Sequence, residues 1–126
     1  MTFPIPKFKE CIVPSLDDRE QAIRAYRAVE AYLIENTYVF QTSSQSLGSS
    51  GYHDKSSALT KEGIVISSSA RTLFGPSGFH SSGRVPEHWM LEVFSFEKPV
   101  DEVKNELEKI IEEAKTGKGL KKSRRK

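Results

Sequence analysis

The clearest pattern in the chain is a stripe formed by Val100, Val103, Leu107, Ile110, Ile111 and Ala114. Its three- and four-residue spacing predicts an amphipathic helix, with Pro99 at its start and Gly117 at its stop. A second helix is predicted over about 16–35, where Ile23, Tyr26, Val29 and Leu33 share one face. Ser15 or Asp17 would cap it, Glu20 and Arg24 would pair along its wet side, and Asn36 would end it.

Strands are predicted where apolar and β-branched residues cluster between turn formers. Residues 7–13 make a first strand halted at Pro14, and residues 37–42 and 63–68 make two more. Residues 88–96 give the strongest, with Trp89, Leu91 and Val93 on one face and Met90, Phe94 and Phe96 on the other. A strand apolar on both faces should be central and covered on both sides. The stretches at about 43–60 and 75–87 are rich in Ser and Gly and are expected to be mobile loops, with little to bury against the entropy of ordering them. The expected order is β-α-β-β-β-α: an α+β fold with a small antiparallel sheet of three to four strands and two helices packed on one face. Residues 1–116 would form this single domain, and 117–126 a flexible, disordered basic tail.

Composition agrees with one domain. The chain has 126 residues, 37% hydrophobic and 29% charged, an ordinary globular balance. Cys11 is the only cysteine, which excludes an intramolecular disulfide and suits a reducing compartment. The proline-punctuated start lacks the apolar run of a secretory leader, and no stretch is long enough to span a bilayer. The expectation is a cytoplasmic or nuclear protein without a membrane partner. A net charge of +2 hides a division, because seven basic and no acidic residues lie from Lys115 onward. The remaining twelve Lys and Arg face all seventeen Asp and Glu, which leaves the body at −5.

Candidate chemistry is sparse. His80-Ser81-Ser82 echoes half of the histidine-x-serine pattern of two-histidine phosphoesterases, but His53 is followed by Asp54-Lys55-Ser56 and completes no second copy. His53, His80, His88 and Asp54 lack zinc-ligand spacing, so neither a metal nor another cofactor is expected. No nucleophile elbow surrounds any serine. Gly75-Pro76-Ser77-Gly78 has the outline of a phosphate-clamping loop, yet it joins predicted strands and reads as a turn. Glu92, set among apolar neighbours, must be paired or reach solvent.

The basic residues carry the functional expectation. Lys55, Lys61, Arg71 and Arg84 lie in the middle of the chain, interleaved with Tyr52, Phe74 and Phe79. Lys115, Lys118, Lys121, Lys122, Arg124, Arg125 and Lys126 form the tail. Cations on flexible segments beside aromatic rings suit phosphate contact and base stacking. The expected role is a nucleic-acid-associated accessory protein, RNA ahead of DNA, with catalysis not expected. The alternative is a protein-interaction module or assembly subunit. The α-β-β-β-α order is similar to that of double-stranded-RNA-binding domains and of the Alu-domain proteins of the signal recognition particle, a likeness of topology alone. Asp101 and Glu102 stand where the former carry phosphate-gripping lysines, which argues against that use.

Overall fold

The computed structural model describes residues 5–74 and 84–116. Along the chain these form β1 (Phe8–Ile12), α1 (Arg19–Asn36), β2 (Val39–Ser46), β3 (Tyr52–Leu59), β4 (Val65–Phe74), β5 (Arg84–Ser95) and α2 (Asp101–Thr116). The strands make one antiparallel sheet in the order β1-β5-β4-β3-β2. The fold is α+β as expected, but the sheet has five strands rather than three to four.

The additional strand is β3, which lies within the stretch expected to be a loop at about 43–60. Its sequence, Tyr-His-Asp-Lys-Ser-Ser-Ala-Leu, buries only Ala58 fully. Two hydrogen-bonded neighbours hold it instead, and a tight connection at Gly48–Ser50 turns β2 into it. Gly51 closes that turn: its carbonyl accepts from Leu47 N at 2.8 Å, and its N–H donates to Gly48 O at 3.2 Å. Residues 84–87 of the second expected loop belong to β5, while 75–83 and the tail at 117–126 lie outside the described residues.

Alternation along the strands separates two faces. Ile66, Ser68, Ala70 and Thr72 of β4, and Trp89, Leu91 and Val93 of β5, are buried toward the helices. Trp89 Nε1 donates to Ser68 Oγ at 2.9 Å, so the one polar atom of that ring is satisfied within the core. Tyr26 of α1 packs edge-on against Trp89, with ring centroids 5.1 Å apart. The expectation that β5 is covered on both sides is corrected. Both helices pack on one face, and on the other Met90 is 39% and Phe96 45% exposed.

Both helices lie where periodicity put them. In α1 the buried residues are Ala22, Ala25, Val29 and Leu33, the small alanines allowing close approach. The cap is Asp18 rather than Ser15 or Asp17, its carboxylate accepting from Gln21 N at 2.9 Å. In α2, Leu107, Ile111 and Ala114 are buried, with Val100 just ahead of the first turn. Arg24, expected to pair with Glu20 on the wet side, is half-buried between the helices. It donates to Ala114 O at 3.0 Å and Lys115 O at 2.9 Å, and so caps the C-terminal carbonyls of α2.

Candidate nucleic-acid interface

Because both helices sit on one side, the alternate residues of five strands make a broad face that no described helix covers. The strand register sets that face out in rows. His53, Arg71 and His88 stand side by side on β3, β4 and β5. The next row holds Lys55, Ser69 and Met90, and the one after it Ser57, Ser67, Glu92 and Cys11. The last contains Leu59, Val65, Phe94 and Lys9, with Phe96 beyond. One end of the face is therefore cationic and polar, and the other aromatic.

Two ion pairs tie the charges of this face. Lys9 Nζ lies 3.5 Å from Glu92 Oε2, and an Arg71 guanidinium nitrogen lies 3.7 Å from Glu87 Oε1. Glu92, expected to be paired or to reach solvent, is a partly exposed carboxylate held by Lys9. Such pairs at half-exposed positions contribute at most about 1 kcal/mol each, so an incoming phosphate can compete for either cation at small cost. Arg71 Nε is enclosed and has no acceptor among the described residues. His53 Nε2 sits 3.1 Å from Ser69 Oγ, which links the first two rows. Lys55, Ser67, Ser69, Met90 and Glu92 line a shallow cavity of about 210 Å³ at the middle of the face. Phe94 and Phe96 meet edge-on, with centroids 6.2 Å apart.

Of the residues singled out in the sequence, Lys55 and Arg71 come together here on adjacent strands. Lys61 does not, since it lies in the turn between β3 and β4 at the aromatic end. Arg84 opens β5 opposite Phe74. Lys115 belongs to the helical layer at the end of α2. Tyr52 pairs with Thr72 and so faces the helices, away from Lys55 and Arg71. Lys118, Lys121, Lys122, Arg124, Arg125, Lys126, Phe79 and His80 lie outside the described residues. Lys9, His53, His88, Phe94 and Phe96 complete the face and were not grouped from sequence. The alternation in β5 held the signal, but which of its two faces is open depends on where the helices pack.

On the helical side, a groove of about 390 Å³ lies between α1 and the strands β2 and β3, lined in part by Arg27, Glu30, Thr42, Ser44, Asp54 and Ser56. Asp54 accepts from Ser44 Oγ at 2.6 Å and from Thr72 Oγ1 at 2.7 Å, so both carboxylate oxygens are engaged by hydroxyls of neighbouring strands. That makes Asp54 a cross-strand tie. Among the described residues no group of three or more His, Cys, Asp or Glu could hold a metal ion. No described helix is long and apolar enough to cross a membrane.

The resolved pKa shifts lie away from the open face, on the helical layer. Burial pushes the Tyr32 phenol above its usual value, and the negative charges of Glu106 and Glu62 add to that. Lys104 is held above the usual lysine value chiefly by its hydrogen bond to Glu108. Compared with protein-family models, with curated proteins and with solved structures, the chain matches none.

Proposed function

We propose that this chain is a nucleic-acid-associated accessory protein that holds single-stranded RNA across the open face of its sheet, with the basic tail adding affinity independent of sequence. One observation carries this reading: Lys55 and Arg71 stand on adjacent strands of a face that no described helix covers, and that face also holds a partly buried Phe94, an exposed Phe96 and Lys9. Aromatic rings on a sheet surface offer stacking platforms to unpaired bases, and cations beside them meet the phosphates. Duplex RNA fits less well, because Asp101 and Glu102 place negative charge at the start of α2.

The test is binding of a labelled single-stranded RNA, followed by fluorescence anisotropy across a salt series. Truncation should begin at Gly117, since Ala114 and Lys115 supply the carbonyls that Arg24 caps. Residues 117–126 contain six cations, and at about 0.7 log units per neutralised phosphate they would contribute up to about four units of salt slope. Their removal should flatten the dependence sharply. Residual binding should be lost in Lys55→Glu with Arg71→Glu. Phe94→Ala or Phe96→Ala should weaken it by about 1–3 kcal/mol per stacked base. A full chain that binds neither RNA nor DNA at low salt ends the proposal. Binding that survives changes on the open face keeps the ligand class and refutes the site.

A further inference from the structure

The row formed by His53, Arg71 and His88 sits where the strand pairing is irregular. Arg71 pairs with His88 but Thr72 pairs with Pro86, so Glu87 is an extra residue on β5 with no counterpart on β4. Such a bulge bends the strand and re-aims its side chains. Here it leaves two consecutive residues, Glu87 and His88, exposed. Both stand beside Arg71: Glu87 meets its guanidinium at 3.7 Å, and His88 lies opposite it in register. His53 lies opposite Arg71 on the other side, on β3. Adjacent strands are about 4.8 Å apart, so an oxyanion over Arg71 is within side-chain reach of both imidazoles.

The protein itself makes little use of the donors in this row. Arg71 Nε has no acceptor among the described residues, and the contact with Glu87 is longer than a hydrogen bond. His88 makes no side-chain hydrogen bond with a described residue, and His53 engages one ring nitrogen, Nε2, with Ser69 Oγ. Three nitrogen-bearing side chains thus surround one carboxylate that holds none of them closely. The surroundings show the size of ligand that fits. β1 ends at Ile12, opposite Leu91, and Val13, Pro14 and Leu16 beyond it wall the same hollow as the row. Its volume is about 680 Å³, within the range of small-molecule sites and far beyond a bare phosphate. Val13 is 73% exposed there and Met90 39%, which sets apolar surface beside the charged row.

We infer that this hollow takes the terminal phosphomonoester of a single-stranded RNA, with the phosphate over Arg71 between the two imidazoles and the end nucleoside against Val13 and Met90. The inference rests on the RNA reading and deepens it, because it gives the strand a fixed end. A terminal phosphate presents three unesterified oxygens and close to two negative charges, whereas a phosphodiester within the strand presents two oxygens and one charge. The Arg71 guanidinium and two imidazole N–H groups are a matching set of donors. Displacing Glu87 costs little, because an ion pair this exposed contributes little. From Arg71 to Val65, the partner of Phe94, six residues of β4 span about 20 Å. The rest of the strand would cross that distance past Lys55 toward the aromatic rings.

The test compares three forms of one short, internally labelled oligouridylate, with a 5′-phosphate, a 3′-phosphate or hydroxyl groups at both ends, by fluorescence anisotropy of the full chain at fixed salt. One phosphorylated form should bind about tenfold more tightly than the hydroxyl form, the contribution of one hydrogen bond to a charged group. Which form it is assigns the polarity of the strand. Within each variant the readout is the ratio of those two affinities, and circular dichroism checks the fold. His53→Gln with His88→Gln should bring the ratio close to one. Glu87→Gln removes the competing carboxylate and should raise it, which a merely structural role for the row would not do. Equal affinity of all three forms overturns this inference and leaves the RNA reading standing. A ratio that these substitutions leave at the parental value shows that the end is recognised elsewhere and overturns the site. Absence of binding by every form ends the RNA reading, and this inference falls with it.

Discussion

Gly51→Ala should be among the most damaging single-methyl changes available in this protein. Gly51 is buried in the turn between β2 and β3 at φ +101, a conformation that side chains rarely adopt. A Cβ there would overlap the backbone carbonyl oxygen of Thr72 and stand 2.5 Å from Leu73 Cδ2. The backbone strain alone costs about 1–3 kcal/mol. Forcing a methyl group against a neighbouring strand adds about 1–3 kcal/mol more. The carbonyl cannot swing aside freely, because Thr72 sits in the β3–β4 ladder and its hydroxyl donates to Asp54. Gly63→Ala is the matched control: φ is +90 and a Cβ there would meet nothing within 4 Å, so it bears the strain without the clash. Thermal melts followed by far-ultraviolet circular dichroism measure both. At about 4–8 °C per kcal/mol for a domain near this size, Gly51→Ala should melt more than about 8 °C below the parent and clearly below Gly63→Ala. Equal melting of the two variants would refute the close approach of Gly51 to β4. A parental melting point for Gly51→Ala would restore the mobile loop that composition suggested.

Other outcomes follow from the same packing. Leu107→Ala, at a side chain with 0% exposure between the helices and the sheet, should cost about 2–5 kcal/mol in urea denaturation. Ser68→Ala strands the Trp89 indole N–H in the core and should cost about 1–3 kcal/mol, far more than a serine on an exposed strand position such as Ser43. Arg24→Met keeps much of the aliphatic packing but removes both bonds to the end of α2, and should speed amide hydrogen exchange in the last turn of that helix. The raised Tyr32 pKa makes the unfolded chain lose the phenolic proton first as pH rises. Its contribution is therefore complete below pH 10.0 and lost as pH climbs through the higher folded-state value, so Tyr32→Phe should flatten the alkaline fall in stability.

Sequence alone determined the helices, because a stripe such as Val100, Val103, Leu107, Ile110 and Ile111 has one amphipathic solution and needs no partner to be read. It also determined the sidedness of β5, since alternation assigns Trp89, Leu91 and Val93 to one face whatever lies on either side. It did not determine β3. A strand of mostly polar residues is stabilised by its two neighbours and by the turn at Gly51, and those hydrogen bonds leave no mark in local hydrophobicity. Nor could periodicity decide which face of the sheet would be open. Both faces of β5 are apolar, and only the packing of α1 and α2 on the same side buried Trp89 and left Phe96 exposed. The candidate interface was legible to the same extent. Lys55 and Arg71 were visible as cations, but their meeting with Lys9, His53 and Phe94 needed the pairing of β1, β3, β4 and β5, contacts made between residues far apart in the chain.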